Sequence, residues 1–239
     1  MVGEVDAAPE PLFASREEWF ARAMTGGALG WTVRCTPFRR TVLAEVDGSF
    51  VFAKWRRGST QDAEAEWRWL HTLPLLGFRV PRPLFFQRVG RVSVIGTEAL
   101  AGRPLDVLWA EAFRLGRLGP AIEYAANVVA PMVRRLHDHG LAFRDLYWNH
   151  MVAEAMEPGA GEPALLDVER VMAPRLCFER WRVKDLAGLL ASLPVRLRRV
   201  DLLRLLRGYQ GGLARRWAAL AIQIFAKARS ISGHRPRYG

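Results

Sequence analysis

Lysine is almost missing from this 239-residue chain: Lys54, Lys184 and Lys227 are the only three among 35 basic residues, and the rest are arginine. Each lysine that remains is therefore a candidate for work a broad guanidinium does poorly. Cysteine is equally sparse. Cys35 and Cys177 make no CxxC pair, so neither a disulfide framework nor a zinc site is indicated, and a reducing, cytoplasmic setting fits. No apolar run approaches the ~18 residues that a spanning helix requires. The opening MVGEVDAAPEP is acidic and has no apolar core, so it does not read as a secretory signal. Internal repeats, low-complexity tracts and recognised nucleic-acid motifs are lacking too.

What is present is an ordinary globular mixture, 50% hydrophobic and 25% charged, long enough to bury a real core. The net charge of +11 points to a polyanionic partner: nucleic acid, an anionic membrane face or a phosphorylated glycolipid. A merely solubilising arginine-rich surface explains the charge equally well. Without a nucleic-acid motif, nucleic acid is the weakest of these partners.

Along the chain, SREEWFARAM reads as a short opening helix. RRTVLAEV and SFVFAKW read as strands joined by Asp47-Gly48, a hairpin signal. QDAEAEWRWLHTL predicts a helix with Trp67, Leu70 and Leu73 at helical spacing, ended by Pro74 and Gly77. VPRP starts an extended segment, and RVSVIGTEAL is one more strand. The signals then become helical. Ala121 to His139 predicts a long amphipathic helix, kinked at Pro131 and capped by Gly140. The short strands HMVAE and PALLD flank the turn MEPGAGE, and the stretch beyond Trp181 is helical and rich in Leu and Arg. The expected fold class is α+β, with a strand-rich part over residues 1–100 and a helical part over 101–239.

Four residues, in order, suit phosphoryl transfer. That reaction needs a cation on nucleotide phosphates, a carboxylate near the acceptor hydroxyl and oxygen ligands for a metal. Lys54 ends a strand and supplies the cation, against a solvated strand-end charge as the plain reading. Glu66 on the next helix would orient it, with Glu64 as an alternative and a solvated helix face as the plain reading. Asp145 opens a loop after a capped helix, where a base accepting a hydroxyl proton would stand; an Asx-type turn is the competing use. Asp167 ends the strand ALLD and could hold Mg²⁺ or simply terminate the strand. Singly each is ambiguous; the ordered set is not easily accidental.

The pieces FRRTVLAEVDGSFVFAKW, EWRWLHTLPLLGFRVPRPL, FRDLYWNHMV, LLDVERV and RWRVKDLAGLLAS together resemble the lipopolysaccharide core kinases of the Kdo/WaaP family, within the eukaryotic-like protein kinase superfamily. The resemblance covers most of Phe38 to Ser192. It implies a two-lobed kinase-like fold, with 1–100 as the N-lobe and its short extension and 101–239 as the C-lobe with a basic helical tail. It implies ATP with Mg²⁺, or Mn²⁺ in its stead. Lys54 would contact phosphates, Glu66 would pair with it, Asp145 would be the catalytic base and Asp167 the principal metal ligand. The backbone of Thr97 to Leu100, with Glu98 and Leu100 as contacts, would receive adenine, and Asp185 would brace the catalytic loop. His150, five residues after Asp145, stands where protein kinases carry a metal-binding asparagine; it would bind metal or phosphate, with Asn149 as the alternative.

The implied acceptor is a heptose or Kdo hydroxyl of the lipopolysaccharide inner core, or another anionic glycolipid, at the cytoplasmic face of the inner membrane. Peripheral contact with that anionic surface is part of the implication. There is no glycine-rich phosphate loop, so Arg39 or Arg40 would contact phosphate directly. Phe143 replaces the histidine of the HRD motif at a structural position. His137 and His139 diverge on their helix and read as helix-end residues rather than metal ligands. The basic tail reads as C-lobe helices with leucines packed inward, or as a membrane-surface element. A catalytically silent kinase-like binder and a protein kinase are the competing functions.

Overall fold

The computed structural model describes residues 30–46, 48–58, 61–211 and 217–233. The opening SREEWFARAM and Asp47 lie outside the described residues. Two compact units divide between Leu100 and Ala101.

The first unit is a five-stranded antiparallel sheet in the order β1-β2-β3-β5-β4. Its strands are β1 (Trp31–Thr36), β2 (Arg39–Val46), β3 (Ser49–Arg57), β4 (Pro83–Val89) and β5 (Val92–Glu98). Alternation builds the core: Val42, Ala44 and Val46 on β2 meet Val51 and Ala53 on β3, with Phe85 and Val94 behind. Val46 pairs with Ser49, a two-residue hairpin connection in which Gly48 takes φ +72°. β1 escaped the sequence reading because four of its six residues are exposed and no period-two burial survives. β4 starts at Pro83 on the sheet edge, where a missing N–H costs little.

Helix α1 (Gln61–Leu75) follows β3 and packs on β4 and β5. Ala63, Glu66, Leu70 and Leu73 are its buried stripe, so a carboxylate occupies a core position. Pro74 does not end the helix but rides in its last turn. The stop is a Schellman motif: Gly77 N–H donates to Pro74 O, Phe78 N–H donates to Leu73 O, and buried Phe78 supplies the apolar contact.

The second unit opens with β6 (Arg103–Pro104) and α2 (Leu105–Arg114). The expected single helix is a rod in three parts: α3 (Leu118–Tyr124), a π turn (Ala125–Val129) and α4 (Ala130–Asp138). Pro131 lacks an N–H and crowds the preceding turn, and the wider π turn directly upstream accommodates both. Gly140, at φ +71°, closes α4 with the same Schellman pair, Gly140 N–H to His137 O and Leu141 N–H to Leu136 O. Strands β7 (Met151–Ala153) and β8 (Ala164–Leu165) form a three-stranded sheet with β6, both shorter than their sequence patterns suggested. Helices α5 (Phe178–Ala191), α6 (Arg199–Gln210) and α7 (Trp217–Ser232) complete the unit, α7 packing on α5 through Ala187, Ile224 and Ala228. Among the described residues, no helix is long and apolar enough to cross a membrane.

Candidate active site

In the first unit, Lys54 and Arg56 stand two residues apart on β3, so both side chains leave the same face of the strand. Both reach Glu66 on α1. Lys54 Nζ donates to Oε1 at 2.6 Å and Arg56 donates to Oε2 at 2.8 Å. Glu66 is 2% exposed, and sharing its two oxygens between two cations offsets the cost of burying the charge. The sequence reading missed Arg56; its i, i+2 spacing from Lys54 was the available signal. Glu64 instead pairs with Arg88.

Arg40, half-buried on β2, faces Trp55 across the ladder. At the end of β5, Glu98 accepts the Arg82 N–H at 2.9 Å and Arg82 Nε at 3.3 Å. The N–H groups of Glu98 and Ala99 donate to Arg82 O and Phe50 O, so those donors are already committed within the sheet. Leu100 closes the unit.

In the second unit the loop after Gly140 is held by one face of α5. Buried Asp185 accepts the N–H of Phe143 at 2.6 Å and of Arg144 at 2.8 Å. Gly188 lets Leu146 O approach to where a Cβ would sit only 2.7 Å away. Leu189 O accepts Trp148 Nε1–H at 2.8 Å, and Ser192 Oγ accepts the Trp148 N–H at 3.3 Å. Positions 185, 188, 189 and 192 follow helical spacing, which is why RWRVKDLAGLLAS reads as one functional strip. Arg144 takes φ +72°, an uncommon conformation for a side-chain-bearing residue, pinned here by Asp185.

His137 stands in the last turn of α4, at the helix end its position suggested. It is buried, with Nε2 3.3 Å from Asp185 Oδ2 and Nδ1 2.8 Å from the Tyr209 hydroxyl. Arg182 Nε donates to that hydroxyl oxygen at 2.8 Å. A neutral imidazole satisfies the set: Nε2–H donates to Asp185, and Tyr209 donates its proton to Nδ1. His139 is exposed, and no cluster of three or more His, Cys, Asp or Glu suited to a metal occurs among the described residues.

Asp145 Oδ2 accepts Arg170 at 2.7 Å, while its main-chain carbonyl accepts His150 Nδ1–H at 2.8 Å. With Nδ1 carrying the proton, the Nε2 lone pair of neutral His150 is available on the other side of the ring. It lies 3.7 Å from Asp167 Oδ2. The hairpin β7–β8 makes that approach, locked by Leu166 N–H donating to His150 O. Asp167 lies two residues beyond β8 rather than ending it, in the left-handed region at φ 52°. The two groups are close enough that both could hold one divalent cation. Mg²⁺ is commonly held by one or two carboxylates plus substrate phosphates, so Asp167 fits such an ion and the imidazole would be the weaker second ligand. Asn149 is exposed in the same 3-10 turn.

Comparison with known proteins resolves the class. The model of the lipopolysaccharide kinase (Kdo/WaaP) family matches residues 37–209. The chain belongs to the lipopolysaccharide kinase (Kdo/WaaP) family. The lipopolysaccharide core heptose(I) kinase WaaP of Pseudomonas aeruginosa is 28% identical over 230 residues, covering 84% of this chain and 86% of the relative. WaaP of Escherichia coli K12 is 28% identical over 210 residues, covering 72% and 75%. A solved WaaP in complex with acyl carrier protein superposes with a TM-score of 0.69 at 28% identity, covering 94% of this chain and 98% of that one. An aminoglycoside-3'-phosphotransferase of type VIII shares the fold at a TM-score of 0.58 and 19% identity, covering 86% of this chain and 96% of that one. The fold is thus α+β and kinase-like, as the motifs implied, and this Kdo/WaaP family member is a phosphotransferase.

Proposed function

We propose that this Kdo/WaaP family chain transfers the γ-phosphate of ATP to a heptose or Kdo hydroxyl of the lipopolysaccharide inner core, at the cytoplasmic face of the inner membrane. The observation that carries the reading is His150, whose imidazole is anchored on the Asp145 main chain through Nδ1 and stands with Nε2 3.7 Å from the Asp167 carboxylate. One ring thereby stands beside both the intended base and the intended metal ligand. Asp145 accepts the proton of the acceptor hydroxyl as the new O–P bond forms and the bond from the γ-phosphorus to the β,γ-bridging oxygen breaks, releasing ADP. Lys54, oriented by Glu66, neutralises the nucleotide phosphates, and Arg40 adds a second phosphate contact. Asp167 and His150 would hold Mg²⁺ or Mn²⁺, which would supply positive charge to the transferring phosphate. With the N–H groups of Glu98 and Ala99 committed, the Glu98 carbonyl and the Leu100 main chain are the natural contacts for adenine. In this reading residues 1–100 are the N-lobe and 101–239 the C-lobe.

The acyl carrier protein bound to the solved WaaP suggests a second partner for this chain. An apolar cavity of about 650 Å³, lined by Leu190, Leu202, Leu206, Ile224 and Phe225 with Arg199 and Arg229, favours it, since an acyl chain suits such a lining. Co-purification of acyl carrier protein with the wild type, lost on placing Asp at Leu206, tests that partner.

The function is tested by following labelled γ-phosphate from Mg-ATP into purified inner core. Wild type should label the glycolipid, and Asp145→Ala and Asp167→Ala should each lose at least ~10²-fold in rate. ATP binding without transfer would instead indicate a silent binder, and label entering peptide would indicate a protein kinase.

A further inference from the structure

Around Asp145 the second unit gathers more positive charge than its carboxylates answer. Arg170 takes Asp145 Oδ2 at 2.7 Å. The Arg144 guanidinium lies 5.3 Å from the Trp181 ring centre, and Lys184 Nζ lies 5.5 Å from the same ring. An aromatic face holds cations near one another without neutralising them. Neither Arg144 nor Lys184 makes an ion pair with a carboxylate among the described residues, and Arg144 Nε is buried without a hydrogen-bond partner. The oxygens of Asp185 accept from Phe143, Arg144 and His137, and it makes no ion pair with either side chain among the described residues. Burial pushes the Lys184 ammonium down from its ordinary pKa; Asp145 and Asp185 pull it up, and Arg170 and Arg144 push it down further. Yet this is one of only three lysines that the chain retains.

We propose that Arg144, Lys184 and Arg170 form an oxyanion subsite beside Asp145 that seats a carboxylate or phosphate borne by the acceptor sugar. The subsite rests on the acceptor reading given above. Arg170 contacts Asp145, the group given the acceptor hydroxyl above, and this assigns the subsite to the acceptor. It also has a consequence for Asp145. Without an acceptor, Arg170 occupies the carboxylate oxygen; an oxyanion in the subsite offers Arg170 a second partner and leaves Oδ2 open to the incoming hydroxyl. A neutral sugar would neither dock on the three cations nor draw Arg170 away.

The test compares wild type, Lys184→Met and Lys184→Arg on three acceptors: native inner-core oligosaccharide, its carboxyl-reduced form and its dephosphorylated form. Lys184→Met should raise the acceptor KM tenfold or more while the ATP KM stays within twofold, and Lys184→Arg should recover most of the loss. On whichever stripped acceptor has lost the recognised anion, wild type should fall to the level of Lys184→Met; this separates carboxylate from phosphate. Should Lys184→Met fail to fold by urea titration, Arg144→Gln carries the same comparison. A shift in ATP KM instead of acceptor KM overturns the proposal, as does an undiminished penalty on both stripped acceptors. If wild type labels none of the three, the acceptor class fails and the subsite with it; labelling that ignores acceptor charge removes the subsite alone.

Discussion

Asp185 Oδ2 accepts the main-chain N–H of Phe143 at 2.6 Å, and this contact sets the loop that carries Asp145. Asp185→Asn would turn one acceptor into a donor facing a donor. We expect a loss of about 3 kcal/mol in stability, read from the urea midpoint, because a buried N–H is left unsatisfied and Arg144 loses the partner that holds its positive φ.

Glu66 and Lys54 should separate stability from nucleotide affinity. Glu66→Gln leaves Lys54 and Arg56 facing a neutral amide, at a cost of roughly 3 kcal/mol. Lys54→Met keeps the buried Arg56–Glu66 pair, so its melting temperature should change little while ATP affinity drops at least ~10-fold. Calorimetric melting and nucleotide titration of both variants check the contrast.

His150 presents nitrogen where protein kinases present an amide oxygen. Imidazole favours Mn²⁺ over Mg²⁺ relative to oxygen donors. His150→Asn should lower the ratio of Mn²⁺-supported to Mg²⁺-supported transfer roughly tenfold, measured with each metal at saturation. An unchanged ratio would place His150 outside the metal's coordination.

Tyr209 gives the pH dependence a direction. Burial pushes its phenol pKa up, and the Arg182 hydrogen bond offsets that only partly. A group whose folded pKa is raised contributes stability that is fully present below its unfolded value near ~10 and is lost as pH rises through the folded value. Tyr209→Phe should therefore cost about 1 kcal/mol at neutral pH and flatten the alkaline limb of the stability curve above about pH 10. Urea midpoints across that range give the answer.

Much of this was legible in the sequence, and the gaps have physical causes. The β2–β3 hairpin and α1 announced themselves because one side of each is buried, which stamps a period on the residues. β1 carries no such stamp, since its register comes from pairing with β2 and most of it faces solvent. Lys54, Glu66, Asp145 and Asp167 could be picked out as an ordered set of restrictive types, and Asp185 through the family resemblance. The ion pair between Lys54 and Glu66 is present at 2.6 Å. Arg170 and Tyr209 could not be picked out among so many arginines and helical positions, because only three-dimensional proximity distinguishes them; Arg56 offered one signal, its i, i+2 spacing from Lys54. The π turn was invisible for the same reason: Pro131 signals a disturbance but not how the backbone absorbs it.

Gly208 on α6 lies so close to the π turn that a Cβ there would stand 1.9 Å from Ala126 O. The two backbones touch with no side chain to cushion them, and the next residue is Tyr209. Any side chain at 208 would act as a wedge, prying α6 outward and carrying the Tyr209 hydroxyl off His137. A change remote from phosphate or sugar would then reach Asp185 and the loop bearing Asp145 through a lever one residue long.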